Sequence, residues 1–214
     1  MLVGIIGKGF IGYDSPDSHY HGYLDCSSTT DCLICDLYKP ANYKDYMEMV
    51  TSHNFDILSI CTPVETHCQI VCEIAPYVKA LYVEKPIATT IEEADRMIET
   101  CHKHGVILQV NHQRRFLKPK MRWSRGILNN GTHAFDLMRQ MFGEEWPEKI
   151  DLEYVDSMDY PPIFELVINQ PELRPILKGV EHLVECLKEG KQSISSGKEA
   201  RVTLKEVLQF EGTR

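Results

Sequence analysis

The chain has 214 residues, 43% hydrophobic and 25% charged, with a net charge of −8; such fractions are ordinary for a globular protein and exclude disorder or a fibrous class. That length buries a sizeable core as one large domain or two small ones, and the acidic balance disfavours non-specific nucleic-acid binding. No apolar run approaches the length that spans a bilayer, the short apolar start carries Lys8 and glycines rather than a basic leader, and the eight scattered cysteines fit reduced thiols in the cytosol.

The first element is the apolar run 2–6, read as a strand of a parallel sheet. It leads directly into Gly7-Lys8-Gly9-Phe10-Ile11-Gly12. A GxGxxG pattern alone is weak and fits an ordinary turn. After a strand it describes a tight turn where a pyrophosphate can approach bare backbone N–H groups. The stretch 13–22 is turn-rich where a full helix normally follows; Ser15 as N-cap with Pro16 at the first helical position allows a short one. A second apolar run, 32–36, ends on Asp36, about where an acid meets the adenosine ribose hydroxyls. Strand-end capping is the competing reading of Asp36. An acid there repels a 2′-phosphate, so NAD is favoured over NADP, with Lys8 or Lys39 able to soften the preference.

One modest helix, about 43–52, fits before the strand at 57–61. A helix over 66–77 turns Ile70, Val71 and Ile74 inward, and a strand at 80–84 follows. Lys85 then stands at the carboxyl edge where such sheets bind ligands, with Pro86 after it. A lysine at the mouth of a dinucleotide site suggests redox chemistry; a structural ion pair is the alternative. The clearest helix is 91–104, with Thr90 and Glu93 as a capping box and Gly105 as the stop. A strand at 106–110 closes the series. Strands that are near-continuous apolar runs, alternating with helices, define a doubly wound parallel sheet with right-handed crossovers.

The basic stretch Arg114, Arg115, Lys118, Lys120, Arg122 and Arg125 marks a boundary. A solvated linker accounts for it more simply than an anion site; as an anion site it would suit a phosphate-bearing substrate, with Arg115 the member to watch. Beyond it come a helix at 132–142, strands at 150–155 and 163–168, and helices at 175–188 and 198–209. The expected organisation is a dinucleotide-binding domain over 1–116 and a reduced α+β domain over 117–214. Cys32-x-x-Cys35 has no second Cys/His pair at ligand spacing and lies within a strand, so core packing explains it, and no metal site is expected. Cys68 and Cys72 read the same way.

Four segments in order, Ser59-Ile60-Cys61-Thr62-Pro63 with His67, Glu84-Lys85-Pro86-Ile87-Ala88, Gln109-Val110-Asn111-His112-Gln113-Arg114-Arg115-Phe116, and Asn129-Asn130-Gly131-Thr132-His133-Ala134-Phe135-Asp136, resemble the glucose–fructose oxidoreductase/inositol dehydrogenase (Gfo/Idh/MocA) family. The resemblance covers most of residues 1–143 and weakens afterwards, and family members are longer, so this chain looks like a reduced version. It implies a Rossmann-type sheet followed by an open second sheet. It implies cofactor contacts from Gly7 to Gly12, Asp36, Thr62, Pro63, His67, Glu84 and Lys85, although capping by Thr66 competes at the 62–67 turn. It further implies that Lys85 hydrogen-bonds the reacting oxygen and that His133 is the general acid/base, with Asp136 orienting it; a helix-start histidine without chemistry is the alternative. Asn129 departs from the aspartate of inositol dehydrogenases.

The expectation is an NAD-dependent, CH-OH-directed oxidoreductase for a sugar, cyclitol or nucleotide sugar, with Arg115, Asn129 and Asp136 on the substrate side. The competing class is a non-catalytic NAD-binding regulator or partner protein from the same family; a poorly functional remnant is a third. A cytoplasmic homodimer or higher homo-oligomer is expected, since a short second sheet leaves an open edge and an apolar face.

Overall fold

Residues 1–125, 132–142, 150–157, 163–167 and 171–212 are described by a computed structural model. Five runs rich in Ile, Leu, Val and Ala form β1 (Leu2–Ile6), β2 (Asp31–Cys35), β3 (Phe55–Ile60), β4 (Val78–Val83) and β5 (Ile107–Val110), one parallel sheet in the order β2-β1-β3-β4-β5. The sheet grows in opposite directions from β1. That reversal opens a crevice beyond the carboxyl ends of β1 and β3, where ligands bind in open α/β sheets.

Strands apolar on both faces need cover on both. One face packs under α2 (Tyr46–Ser52), α3 (His67–Ile74) and α4 (Ile91–His104), around Leu58, Ile60, Leu81 and Val83. The other face, with Val3, Ile5, Ile57, Ala80 and Tyr82, receives only the short α1 (His19–Asp25) from the first hundred residues. The chain completes this layer much later. Helix α6 (Pro175–Glu189) lays Ile176, Val180, Leu183 and Val184 on that face at helical spacing. Gly22 lets α1 approach it, because a Cβ there would stand 3.2 Å from Val180 Cγ2. Helix α7 (Gly197–Gly212) then returns to the first face through Ala200 and Leu204 and forms a bidentate Arg201–Asp95 pair with α4.

The compact units therefore differ from the expected 1–116 and 117–214. One comprises Met1–Gln113 with Arg174–Arg214, the other Arg114–Leu173. The physical reason is the bare sheet face, which takes 175–189 away from the second sheet. Helix starts also shift. Helix α1 is capped by Ser18, whose side chain accepts from His21 N, rather than by Ser15. Thr90 caps α4 as expected, but the Glu93 carboxylate accepts from Thr89 N, one residue before the box position.

The second unit has β6 (Lys120–Trp123), flanked by β7 (Asp151–Tyr154) in parallel and β8 (Phe164–Val167) antiparallel. Met121 and Trp123 join Ala134 and Met138 of α5 (Thr132–Phe142) in a small core. Lys120 and Arg122 alternate to the other face, where Lys120 pairs with Glu153 at 3.0 Å and Arg122 with Glu153 at 3.1 Å and with Glu165. This corrects two expectations. Part of the basic stretch is a strand rather than a linker or anion site, and the open face described here is charged rather than apolar.

Candidate functional site

The glycine motif leaves β1 with Gly7 at φ 102°, a conformation that disfavours any side chain. A Cβ on Gly7 would lie 2.7 Å from the Cys61 carbonyl, and one on Gly12 would lie 2.2 Å from Gly7 O. These two glycines thus let the turn fold onto the end of β3. Gly9 differs: nothing stands within 4 Å of its would-be Cβ. Its bare backbone borders open space, the approach a pyrophosphate needs. A single wide π-type turn, Phe10–Asp14, follows, with Ser15 N bonded to Phe10 O at 2.8 Å. The first N–H groups of such a turn have no carbonyl behind them. Phe10 is exposed, while Ile11 packs inward on the α1/α6 side.

Asp36 lies just past β2 and faces the glycine turn. Its Oδ2 accepts from Lys8 N at 2.6 Å, and its Oδ1 from Tyr38 N at 2.9 Å and Lys39 N at 2.7 Å. Partial burial works against the charge, but the N–H groups of Lys39, Lys8 and Tyr38 and the Lys39 ammonium outweigh it and hold the carboxyl below its ordinary value. Lys8 Nζ donates to Pro40 O at 2.9 Å and lies 4.3 Å from the centre of the Tyr13 ring. The strand-end capping anticipated for Asp36 is therefore present.

A cleft of about 790 Å³ opens here, lined by Gly7, Gly9, Asp36, Tyr38, Thr62 and Pro63 among others. Its size is in the range of cofactor pockets. Thr62 and Thr66 hydroxyls meet at 2.7 Å, and Thr66 Oγ1 donates to Pro63 O at 2.7 Å, so this turn is held by its own side chains. His67 is buried; its ring reaches backbone carbonyls, with Nε2 3.0 Å from Thr62 O and Nδ1 3.1 Å from Pro86 O.

Beyond β4, Glu84 and Lys85 point to different surroundings. Glu84 is buried and Lys85 exposed, and the Lys85–Pro86 bond is cis. Glu84 Oε1 accepts from His19 Nε2 at 2.9 Å and from Asn111 Nδ2 at 2.5 Å, and Oε2 from Lys85 N at 3.3 Å. His19 Nδ1 meets Ser59 Oγ at 2.7 Å, and Tyr82 OH donates to Asn111 Oδ1 at 2.7 Å. Burial opposes ionisation of Glu84, yet the His19, Asn111 and Lys85 N–H donors prevail and lower its pKa. The carboxylate is thereby kept from Lys85, whose ammonium forms no ion pair among the described residues. The structural ion-pair reading of Lys85 loses its obvious partner.

Sequence reasoning missed His19, Ser59, Tyr82 and Asn111. Ser59 and Tyr82 face each other in register across β3 and β4, and polar residues inside otherwise apolar runs were the available signal.

On the substrate side, Arg115 is exposed on the short turn Gln113–Phe116. Asn129 lies outside the described residues. His133 is the second residue of α5, and its side chain lies outside the described residues. Asp136 is exposed and pairs with Arg139 at 3.1 Å. Lys85 belongs to the first unit, and Arg115, His133 and Asp136 to the second. Burial pushes the Cys32 thiol up to about 12 and the Cys35 thiol to about 11, as core packing requires of both.

Residues 1–112 match the family model of the Gfo/Idh/MocA oxidoreductases, described as an oxidoreductase family with an NAD-binding Rossmann fold. The uncharacterized oxidoreductase YrbE of Bacillus subtilis is 30% identical over 111 residues, 52% of this chain and 32% of that protein. Myo-inositol 2-dehydrogenase of Thermotoga maritima is 36% identical over 90 residues, 42% of this chain and 27% of that protein. The matches thus span about a third or less of these relatives' own length. The crystal structure of the WlbA dehydrogenase from Bordetella pertussis, in complex with NADH and UDP-GlcNAcA, superposes with a TM-score of 0.59 at 17% identity, covering 94% of this chain and 92% of that one; it shows the shared fold. By its sheet, its glycine turn and its Glu84-Lys85-Pro86 segment, the chain belongs to the Gfo/Idh/MocA family of oxidoreductases.

Proposed function

We propose that this protein is an NAD-dependent oxidoreductase acting on a secondary alcohol, or the matching ketone, of a sugar, cyclitol or nucleotide sugar. The observation that carries the reading is the cleft at the sheet's switch point, bordered by open backbone at Gly9, together with an exposed lysine just past the end of β4. Gly7, Gly9 and Gly12 would let the pyrophosphate approach the first N–H groups of the 10–14 turn. Asp36 retains acceptor capacity beyond its three N–H bonds, since a carboxylate has about four lone-pair sites, and would take a ribose hydroxyl. Its charge repels a 2′-phosphate, which favours NAD over NADP. Thr62 and Pro63 would border the cofactor from β3.

The bound nicotinamide supplies hydride transfer at its C4. Lys85 would donate a hydrogen bond to the reacting oxygen and stabilise the negative charge that develops there. The burial of Glu84 against His19 and Asn111 keeps that ammonium available. His133 would exchange the hydroxyl proton as an imidazole suited to neutral pH, with Asp136, Asn129 and Arg115 on the substrate side. Support for a sugar-like substrate comes from the relatives, one of them a myo-inositol dehydrogenase.

The second reading is a non-catalytic NAD-binding protein, favoured by a second unit of only three described strands. A screen of sugars, cyclitols and nucleotide sugars by NADH absorbance separates the two. Turnover with any member supports the enzyme, whereas tight NAD binding with no turnover across the panel supports the binding protein.

A further inference from the structure

Asp36 stands near Lys8, Lys39 and Lys44, and each of these ammonium groups is held on the protein. Lys8 Nζ donates to Pro40 O at 2.9 Å and lies against the Tyr13 ring, and Lys44 Nζ donates to Lys39 O at 2.7 Å. Lys39 differs in being held by a charge. Its Nζ lies 3.0 Å from Oδ2 of Asp14, the last residue of the 10–14 turn, and both side chains are about half exposed. The backbone that carries Lys39 is fixed independently. Lys39 N donates to Asp36 Oδ1, and the carbonyls of Lys39 and Pro40 receive the other two ammonium groups. Asp36, Leu37, Tyr38 and Lys44 line the cleft, whereas Lys39 does not. Its side chain is turned out of the cleft, toward Asp14.

We infer that Asp14 is a positioning residue for cofactor choice, which holds the Lys39 ammonium away from the ribose site, so that exclusion of a 2′-phosphate depends on the Asp14–Lys39 pair as well as on Asp36; this role rests on the proposed dinucleotide site. A lysine ammonium rides on a flexible four-carbon stem. Because Lys39 is bonded to Asp36 through its own N–H, a released ammonium has the Asp36 carboxylate, and whatever binds there, within its range. A cation beside the acid after the second strand is what accommodates a 2′-phosphate in such sheets. Freed from Asp14, Lys39 can give that phosphate a charge-assisted hydrogen bond. Alternatively it turns to Asp36 and offsets the charge that repels the phosphate. Both outcomes narrow the preference for NAD. The loop stays in place meanwhile, since Asp36, Lys8 and Lys44 still hold its backbone. A half-exposed pair holds weakly and is screened by salt, so Asp14 adjusts a preference that Asp36 sets.

The test is a titration of NAD and NADP at low ionic strength into the unmodified protein, Asp14→Asn, Lys39→Met and the double variant, each checked for folding by circular dichroism. The readout is the ratio of the NADP to the NAD dissociation constant, which needs no substrate. Asp14→Asn should lower it about threefold, the size of an exposed ion pair. In the Lys39→Met background the same change should move it by less than about 1.5-fold, because the ammonium that Asp14 holds is gone. A purely structural part for Asp14 in the turn would weaken both dinucleotides alike; an unchanged ratio in Asp14→Asn therefore overturns the role. An equal fall in both backgrounds also overturns it, since Asp14 would then act through its own charge and not through Lys39. An unmodified protein that binds neither dinucleotide overturns the cofactor reading itself, and the part assigned to Asp14 falls with it.

Discussion

Leu183 on α6 offers a direct measurement of what the late helix does. Its side chain is fully buried among Val3, Ile5, Tyr82 and other residues of the sheet face that α1 leaves bare. Leu183→Ala removes three carbon atoms, about 2.4 kcal/mol of transfer free energy at roughly 0.8 kcal/mol for each. The cavity left behind raises the cost to about 3–4 kcal/mol, because α6 is held on both sides by Gly22 and by the Gln109 amide bonded to Gly179 O. For a unit of this size each kcal/mol moves Tm by about 2–4 °C. Thermal unfolding followed by circular dichroism should therefore show a fall of roughly 6–16 °C. Val202→Ala on α7, at a side chain 54% exposed, is the control and should change stability by no more than ~0.5 kcal/mol. A Leu183→Ala shift no larger than the control's would refute the claim that 175–189 completes the first unit.

Three further outcomes follow from the site. Asp36→Ala should narrow the preference for NAD over NADP in a titration, by removing the charge that opposes a 2′-phosphate; an unmodified protein that prefers NADP would remove the ribose assignment. Lys85→Met should leave NAD affinity nearly intact and lower turnover on the order of 10²–10³-fold, because the lost charge is needed mainly as the oxygen becomes anionic; undiminished turnover would refute its role. Glu84 has a folded pKa below its ordinary 4.5, so its stabilisation is present above that value and lost as pH falls through the folded one. Glu84→Gln should accordingly flatten the acid limb of a stability–pH curve below about 4.5, and a limb of unchanged slope would contradict the sign.

Much of the first sheet is legible in the sequence because its signals are local. Apolar runs at 2–6, 32–36, 57–61, 80–84 and 106–110 all become strands with ends shifted by a residue or two, since burial on both faces leaves a continuous hydrophobic trace. The partner of a helix is not local. The apolar stripe of 175–189 says that the helix buries one side, but both sheets offer apolar surface. Only the count of helices on each face of the first sheet, three against one, decides where it goes. Strand β6 failed to register for a different reason. Lys120-Met121-Arg122-Trp123 alternates with period two, yet its charges continue those of the neighbouring arginines, and their cross-strand acids Glu153 and Glu165 lie more than thirty residues away.

The site divides in the same way. The candidate residues at strand ends, Gly7, Gly9, Gly12, Asp36 and Lys85, leave a motif, because geometry at a strand end restricts which residue can stand there. The groups that hold Glu84 in place leave none. His19 reaches Glu84 across 65 positions and Asn111 across 27, and each could be read alone as a loop or edge residue. Their joint effect is to occupy a carboxylate that would otherwise lie beside Lys85. The family resemblance implies a cofactor contact for His67; its ring faces the backbone of two loops. A turn's proximity to a cleft does not settle the direction of its side chains, and the donors and acceptors around each buried group are what fix its part in the site.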